Sequence, residues 1–317
     1  MTMFEAQELD PLTVAVLEGG ESSERSISLE SGAAVRAALA ERGHKVLALD
    51  PSEVDLSTFD WSGIDVAFIA LHGFFGEDGQ VQQILEDAGM PYTGSDPAAA
   101  RLSFQKSAAK ERFLQSYVPT PPYVLIHEGD TASGIMKKAR SLGYPLAVKP
   151  DSQGSSLGVS VVQSPDELPE ALTRCFHLEA FGLLEAAVLG SEWTVGIMDE
   201  LMLPLIQVVP NRPFYDYQAK YADDTTQYQF EFDVPSDVVS SINQAARNAY
   251  DALKLQGIAR IDLVLDRFNR PWVLEANSVP GMTSHSLVPK AAARIGISMG
   301  ELCEQMLRRS LSTAPQS

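Results

Sequence analysis

The sequence predicts α/β and α+β organisation, with an N-terminal doubly wound parallel sheet followed by a two-part α+β unit. Three features predict it. Strand and helix patterns alternate over the first hundred residues, a proline-rich segment then breaks that pattern, and two apolar runs flank a turn near the C-terminal end. At about 150 residues per domain, the 317 residues suffice for two or three domains with cores of their own.

Residues 12–17 form a short apolar strand followed by Gly19 and Gly20. Residues 28–42 carry Leu29, Ala33, Val35, Ala38 and Leu39 at helical spacing and stop at Gly43. Residues 46–49 and 66–71 read as further strands, and 81–88 as a second helix. Strand–helix–strand order requires crossovers, hence parallel strands, and sites on such sheets lie at the strands' C-terminal ends. Residues 102–115 read as one helix carrying Lys106 and Lys110. The chain then extends through Pro119, Pro121 and Pro122, which fix φ and disfavour helix before them. The first domain is therefore expected over residues 1–103, with a second part over 104–191.

That second part contains strands at 123–126, 146–149 and 158–162, a helix at 131–141 and a loop rich in Gly and Ser. A third part, 192–317, begins near Glu192 with strands around 193–197 and 203–209 and an irregular polar stretch at 211–227. The helix at 237–255 turns Val239, Ile242, Ala246, Ala249 and Leu253 to one face, a core face, and is expected to end at Gly257. Ser298 and Glu301 form a capping box that opens a last helix, with Leu302, Cys303, Met306 and Leu307 on its buried side.

Charge and cysteine content narrow the function classes. Lys and Arg number 24 against 42 Asp and Glu, a net charge of −18 that repels nucleic acid and an anionic membrane surface alike. A nucleotide can bind such a chain only where a few lysines and a divalent cation converge. The two cysteines, Cys175 and Cys303, offer neither a disulfide framework nor a zinc site. No run approaches the roughly 20 apolar residues of a membrane span, and residues 1–10 lack the basic and apolar regions of a secretion signal, so a cytoplasmic protein is expected.

The most informative chemistry lies at 259–277. If the two strands there pair symmetrically about their turn, Asp262 faces Glu275 and Arg260 faces Asn277, all on one side of the ribbon. Facing carboxylates repel unless something positive lies between them. Hard oxygen donors suit Mg²⁺ or Mn²⁺, not zinc. The alternative is a solvated face on which Arg260 neutralises the acids. Lys149 follows an apolar strand and precedes a loop with Gly154, Ser155, Ser156 and Gly158, small enough for backbone N–H groups to approach phosphate oxygens; the alternative there is a simple hairpin turn. Glu185 could accept from an adenine amino group and Glu192 from ribose hydroxyls, although either alone would be an ordinary surface acid.

Together, Lys106, Lys149 with Gly154-Ser155-Ser156, Glu185 with Glu192, Arg260-Ile261-Asp262 and Glu275-Ala276-Asn277 resemble the signatures of ATP-grasp enzymes. The segments at 16–28, 71–79, 214–221 and 280–289 resemble more closely those of the D-alanine–D-alanine ligase family, with matches in order from about residue 13 to 307. The resemblance implies a two-part ATP-grasp fold behind the parallel sheet, and ATP-dependent joining of two D-alanines through an acyl phosphate for peptidoglycan precursor synthesis. It implies that Glu24 meets the first substrate's ammonium in a set with Ser155 and Tyr221, that His72 lies near that substrate, and that Ser286 and Leu287 hold the second substrate's carboxylate. Arg260 and the Gly281 N–H would stabilise the oxyanion. Lys106, Lys149, Ser156, Glu185, Ala186, Val188, Glu192 and Lys220 would contact the nucleotide, and Asp262, Glu275 and Asn277 the metal. A homodimer is implied too.

Glu18, Gln105 and Ala186 depart from the family pattern, as, mildly, do Ser278 and Val279. Three other readings compete. A nicotinamide-binding fold lacks its G-x-G-x-x-G spacing here. A non-catalytic nucleotide-binding homologue is disfavoured by the intact Arg260, Asp262, Glu275 and Asn277. A sister ligase would take D-lactate or another D-amino acid as second substrate, against which Tyr221 speaks.

Overall fold

The structure, a computed structural model, describes residues 9–209 and 226–313. Three sheets follow one another along the chain. The first is parallel, in the order β2-β1-β3, from β1 (Thr13–Leu17), β2 (Lys45–Leu49) and β3 (Val66–Ile69). Helix α1 (Arg25–Glu41) makes the crossover, and α2 (Gln80–Asp87) follows β3. β1 and β3 are buried almost throughout, as near-continuous apolar strands covered on both faces should be.

The single helix expected at 102–115 is two helices. α3 (Pro97–Phe104) begins at Asp96, whose side chain accepts from Ala99 N, with Pro97 in the first turn. It stops at Gln105, which is extended (φ −83°, ψ 104°), and α4 (Lys106–Gln115) starts afresh. The break has a hydrogen-bonding cause: Asp151, from a distant loop, accepts Lys106 N on its carbonyl and Ser107 N on its carboxylate, so α4 acquires a cap that one continuous helix could not use.

The second sheet is antiparallel, β4-β7-β5-β6, built from β4 (Tyr123–His127), β5 (Leu146–Pro150), β6 (Ser160–Val162) and β7 (Phe181–Ala186). α5 (Ala132–Leu142) opens on Thr131 as expected. α6 (Leu168–Phe176) is an additional helix; Pro169 lies in its first turn, where the missing N–H costs nothing, and Leu168, Ala171 and Cys175 enter the core.

The third sheet runs β11-β10-β8-β12-β13, with β8 (Gly190–Met198), β10 (Ile206–Val209), β11 (Gln227–Gln229), β12 (Ile258–Asp266) and β13 (Pro271–Asn277); β9 (Leu201–Met202) pairs with β8. α7 (Ser236–Ala252) buries Ile242, Ala246 and Ala249 in the core that this sheet shares. It ends earlier than expected, because Lys254 already takes the left-handed conformation (φ 55°) ahead of Gly257. α8 (Leu287–Arg294) and α9 (Met299–Thr313) return to the first sheet: Leu287, Met306 and Leu307 share one core with Val14, Val16 and Val35. The capping box is present, with Ser298 N donating to Glu301 and Glu301 N to Ser298 Oγ. Among the described residues no helix is long and apolar enough to cross a membrane.

Candidate active site

The β12–β13 ribbon lies at the edge of the third sheet, and its register sets the site. Asp262 faces Glu275 and Arg260 faces Asn277, as the pleat predicts. Beyond Asp262 the symmetry fails: Leu263 pairs with Val273, so Leu274 is an extra residue in β13. Leu274 and Glu275, adjacent at this bulge, both line the cavity beside the ribbon. Each of the facing acids has a cation beside it. Arg260 donates to Asp262 from Nε (2.9 Å) and Nη2 (2.8 Å), Thr194 Oγ1 adds a bond of 2.7 Å, and Lys106 Nζ lies 4.0 Å from Glu275. Arg260 thus neutralises Asp262, the part of the alternative reading that holds. Among the described residues no three His, Cys, Asp or Glu side chains group as metal ligands. The available set is two carboxylates and the amide of Asn277, whose Oδ1 accepts from Val279 N.

Of the two cavities that Lys106 lines, the larger, about 160 Å³, opens between the second and third sheets. Lys149, Ser156, Glu185, Val188, Glu192 and Asp262 all line it. Lys149 donates at 2.5 Å to Glu185 Oε1, and Lys110 Nζ lies 2.5 Å from Oε2. Burial pushes the Glu185 carboxyl up, but the two ammonium groups outweigh it and hold the acid below its ordinary range. Burial pushes Lys110 down even with Glu185 beside it, whereas for Lys149 the nearby carboxylates outweigh burial and raise it. Lys110 was not singled out from sequence as a site residue; its i, i+4 spacing from Lys106 was the available signal. Ala186 N donates to Pro122 O and so is already used within the protein.

The loop after Lys149 is shaped for close approach. Ser155 and Ser156 both take left-handed φ (51° and 58°), unusual for residues with a Cβ. A Cβ on Gly154 would collide with the Glu24 carboxylate.

A smaller cavity, about 50 Å³, is lined by Glu24, His72, Glu77, Gly154, Arg260 and Gly281. Lys106 lines both cavities and donates to Gln153 O. Buried Glu24, just before α1, accepts from Ser155 Oγ and so joins two distant loops. Buried His72 is held at both ring nitrogens: Ser31 Oγ, which accepts from Met282 N, lies 3.1 Å from Nε2, and Glu77 Oε1 lies 3.3 Å from Nδ1. Burial pushes the Glu77 carboxyl up. A side chain at Gly281 would crowd Ser286 Oγ, which accepts from Thr283 N at the start of α8, with Leu287 as the helix's first residue. Lys220 and Tyr221 lie outside the described residues.

Residues 113–308 match the family model described as the D-ala D-ala ligase C-terminus, and residues 51–95 match the N-terminus model. The D-alanine–D-alanine ligase of Syntrophotalea carbinolica is 39% identical over 96% of this chain and 98% of its own length. The chain belongs to the D-alanine–D-alanine ligase family. Of solved structures, the ligase from Bacillus anthracis superposes with a TM-score of 0.85 at 33% identity, over 96% of this chain and 98% of that one; the same enzyme complexed with ATP gives 0.83 at 30%, with the same coverage.

Among ligases of this family the departures now have physical accounts. Glu18 is a buried acid turned under α1, paired with Arg36 through Nε (3.0 Å) and Nη2 (3.1 Å), and Gly32 provides its room. It does not line either cavity. Gln105 donates to Asp151 Oδ2 (3.0 Å), the same carboxylate whose Oδ1 accepts from Ser107 N.

Proposed function

We propose that this chain carries out the activity of its family, ATP-dependent ligation of two D-alanines for peptidoglycan precursor synthesis, with ADP and phosphate released. The observation that carries the reading is the facing pair Asp262 and Glu275 on one ribbon, beside a cavity whose far wall holds Lys149 and Glu185. A carboxylate is a poor electrophile, so its activation as an acyl phosphate is what the ATP supplies.

In this reading the larger cavity holds the nucleotide. Glu185 accepts from the adenine amino group, Val188 and the Ala186 backbone flank the base, and Glu192 takes the ribose hydroxyls. Lys149, Lys106 and the loop through Ser156 bind the phosphates, with Lys220. Asp262, Glu275 and Asn277 offer only hard oxygens, which fits Mg²⁺ or Mn²⁺; such an ion would offset phosphate charge and orient the transferred group.

The smaller cavity holds the amino acids. Glu24, kept in place by Ser155, meets the first ammonium near His72. Ser286 and the Leu287 N–H take the second carboxylate, aided by the start of α8. Arg260 and the Gly281 N–H face the developing oxyanion, worth about 3 kcal/mol per donor. Domains of 1–103, 104–191 and 192–317, a homodimeric assembly and a cytoplasmic location complete the proposal.

The test is phosphate release from Mg-ATP across a panel of D-amino and D-hydroxy acids. D-alanine should be the preferred second substrate. A preference for D-lactate would replace the reading with that of a sister ligase, and no release with any acid would leave a nucleotide-binding homologue.

A further inference from the structure

Glu185 is shared by two ammonium groups, yet only one of them lines the larger cavity. Lys149 does; Lys110 sits behind it, 1% exposed, and takes no part in the lining. Lys110 Nζ donates to Thr120 Oγ1 at 2.6 Å, and Thr120 Oγ1 donates in turn to Val273 O on β13. Its ammonium is thus tied to the proline-rich segment and to the ribbon as well as to Glu185. Lys110 holds Glu185 Oε2, an oxygen buried away from the cavity, at 2.5 Å, whereas Lys149, which does line the cavity, holds Oε1; a ligand amino group that takes the place of Lys149 therefore meets Oε1.

A nucleotide in this cavity asks two things of the cluster at once. Its phosphates need an ammonium, and its base needs an ionised acceptor. If Lys149 turned to the phosphates and no other cation were present, Glu185 would be left buried and uncompensated, a state that proteins avoid by keeping the pair closed or by protonating the acid. We propose that Lys110 is a positioning residue that keeps Glu185 ionised and aimed at a 6-amino purine while Lys149 is handed over to the phosphates. The inference rests on the nucleotide reading of the cavity given above.

The test uses the full chain with Lys110→Met, Glu185→Gln and the double variant, and compares ATP with inosine triphosphate, whose 6-oxo group sets an acceptor against Glu185. Lys110→Met should raise KM for ATP about tenfold with kcat within about threefold, and the preference for ATP over the inosine nucleotide should collapse toward unity. In the Glu185→Gln background the second substitution should change KM by less than about twofold, because no carboxylate remains to be held. Wild-type KM and wild-type base preference in Lys110→Met would overturn the proposal, as would a further tenfold rise in the double variant. If Lys110→Met alone does not fold, the double variant, which removes both charges, decides by that same comparison. Should the wild-type chain release no phosphate with D-alanine, the ligase reading fails separately, and calorimetric binding of ADP against inosine diphosphate still reads the role of Lys110.

Discussion

The two cavities that meet at Lys106 handle buried charge in opposite ways. In the larger one, Glu185 lies between two ammonium groups, Lys110 and Lys149, a buried triad of net positive charge set against the acids Glu192, Asp262 and Glu275 elsewhere on the wall. In the smaller one, Glu24 is met by a serine hydroxyl and Glu77 by an imidazole, and among the described residues no ammonium or guanidinium bonds either acid, although Lys106 and Arg260 line the same cavity. Each arrangement complements what its side is proposed to receive: phosphates in the first, an ammonium in the second. Specificity here begins as an electrostatic deficit, resolved when the substrate arrives. The same carboxylate chemistry should therefore behave differently in the two halves.

The sharpest break comes where the halves join. Asp262→Ala removes one of the two facing acids and frees Arg260 from its pair. Turnover should fall at least about a thousandfold, with the fold retained in circular dichroism, because charge stabilisation at the transferred phosphoryl group dominates such reactions. Full activity in this variant would remove the metal assignment and the comparison with it.

Next in size is a stability effect. Glu185→Gln leaves two buried ammonium groups without their shared counter-ion, and breaking a buried pair costs about 3–5 kcal/mol. Equilibrium denaturation should show a loss of that order. A variant as stable as wild type would mean that Glu185 does not offset the charge of Lys110 and Lys149.

Ser155→Ala tests the opposite half. It deletes the hydroxyl that ties the glycine-rich loop to Glu24, so KM for D-alanine should rise about tenfold, the equivalent of about 1.4 kcal/mol for one charge-assisted hydrogen bond. Initial-rate kinetics at saturating ATP would show it, and an unchanged KM would detach that loop from the amino-acid side.

What could be read from the sequence follows from the range of each interaction. The facing of Asp262 and Glu275 was legible because the two-residue pleat fixes it locally. The bulge at Leu274 was not, since alternation carries no mark of one added residue. Helix α6 carries little local signal because Pro165 and Pro169 interrupt it, although proline in a first helical turn is permitted. The helix break at Gln105 depends on Asp151, and the role of Lys110 on Glu185, both far away along the chain; a lysine looks like surface until its partner is placed. Glu18 was ambiguous for the same reason until Arg36 was seen across from it.

The smallest effect inverts the sign of the second prediction. Burial raises the Glu77 carboxyl above its ordinary range, with the Glu24 charge adding to the rise and His72 opposing it. An acid raised in the folded state binds its proton more tightly there than in the unfolded chain. The stability it contributes is therefore present below the ordinary glutamate value, about 4.3, and is lost as pH rises from there through the folded value. Glu77→Gln has no such loss. Its melting temperature should match wild type in acid and exceed it at neutral pH, by about 1–2 °C for each kcal/mol in a chain of this size. KM for D-alanine should rise at the same time, because the variant gives up negative charge beside the ammonium site. A Glu-to-Gln change would then destabilise the fold at position 185 and stabilise it at 77. Melting curves from pH 4 to 8 decide the point: a difference that shrinks with rising pH would mean that Glu77 is held ionised by His72, and that the smaller cavity is compensated after all.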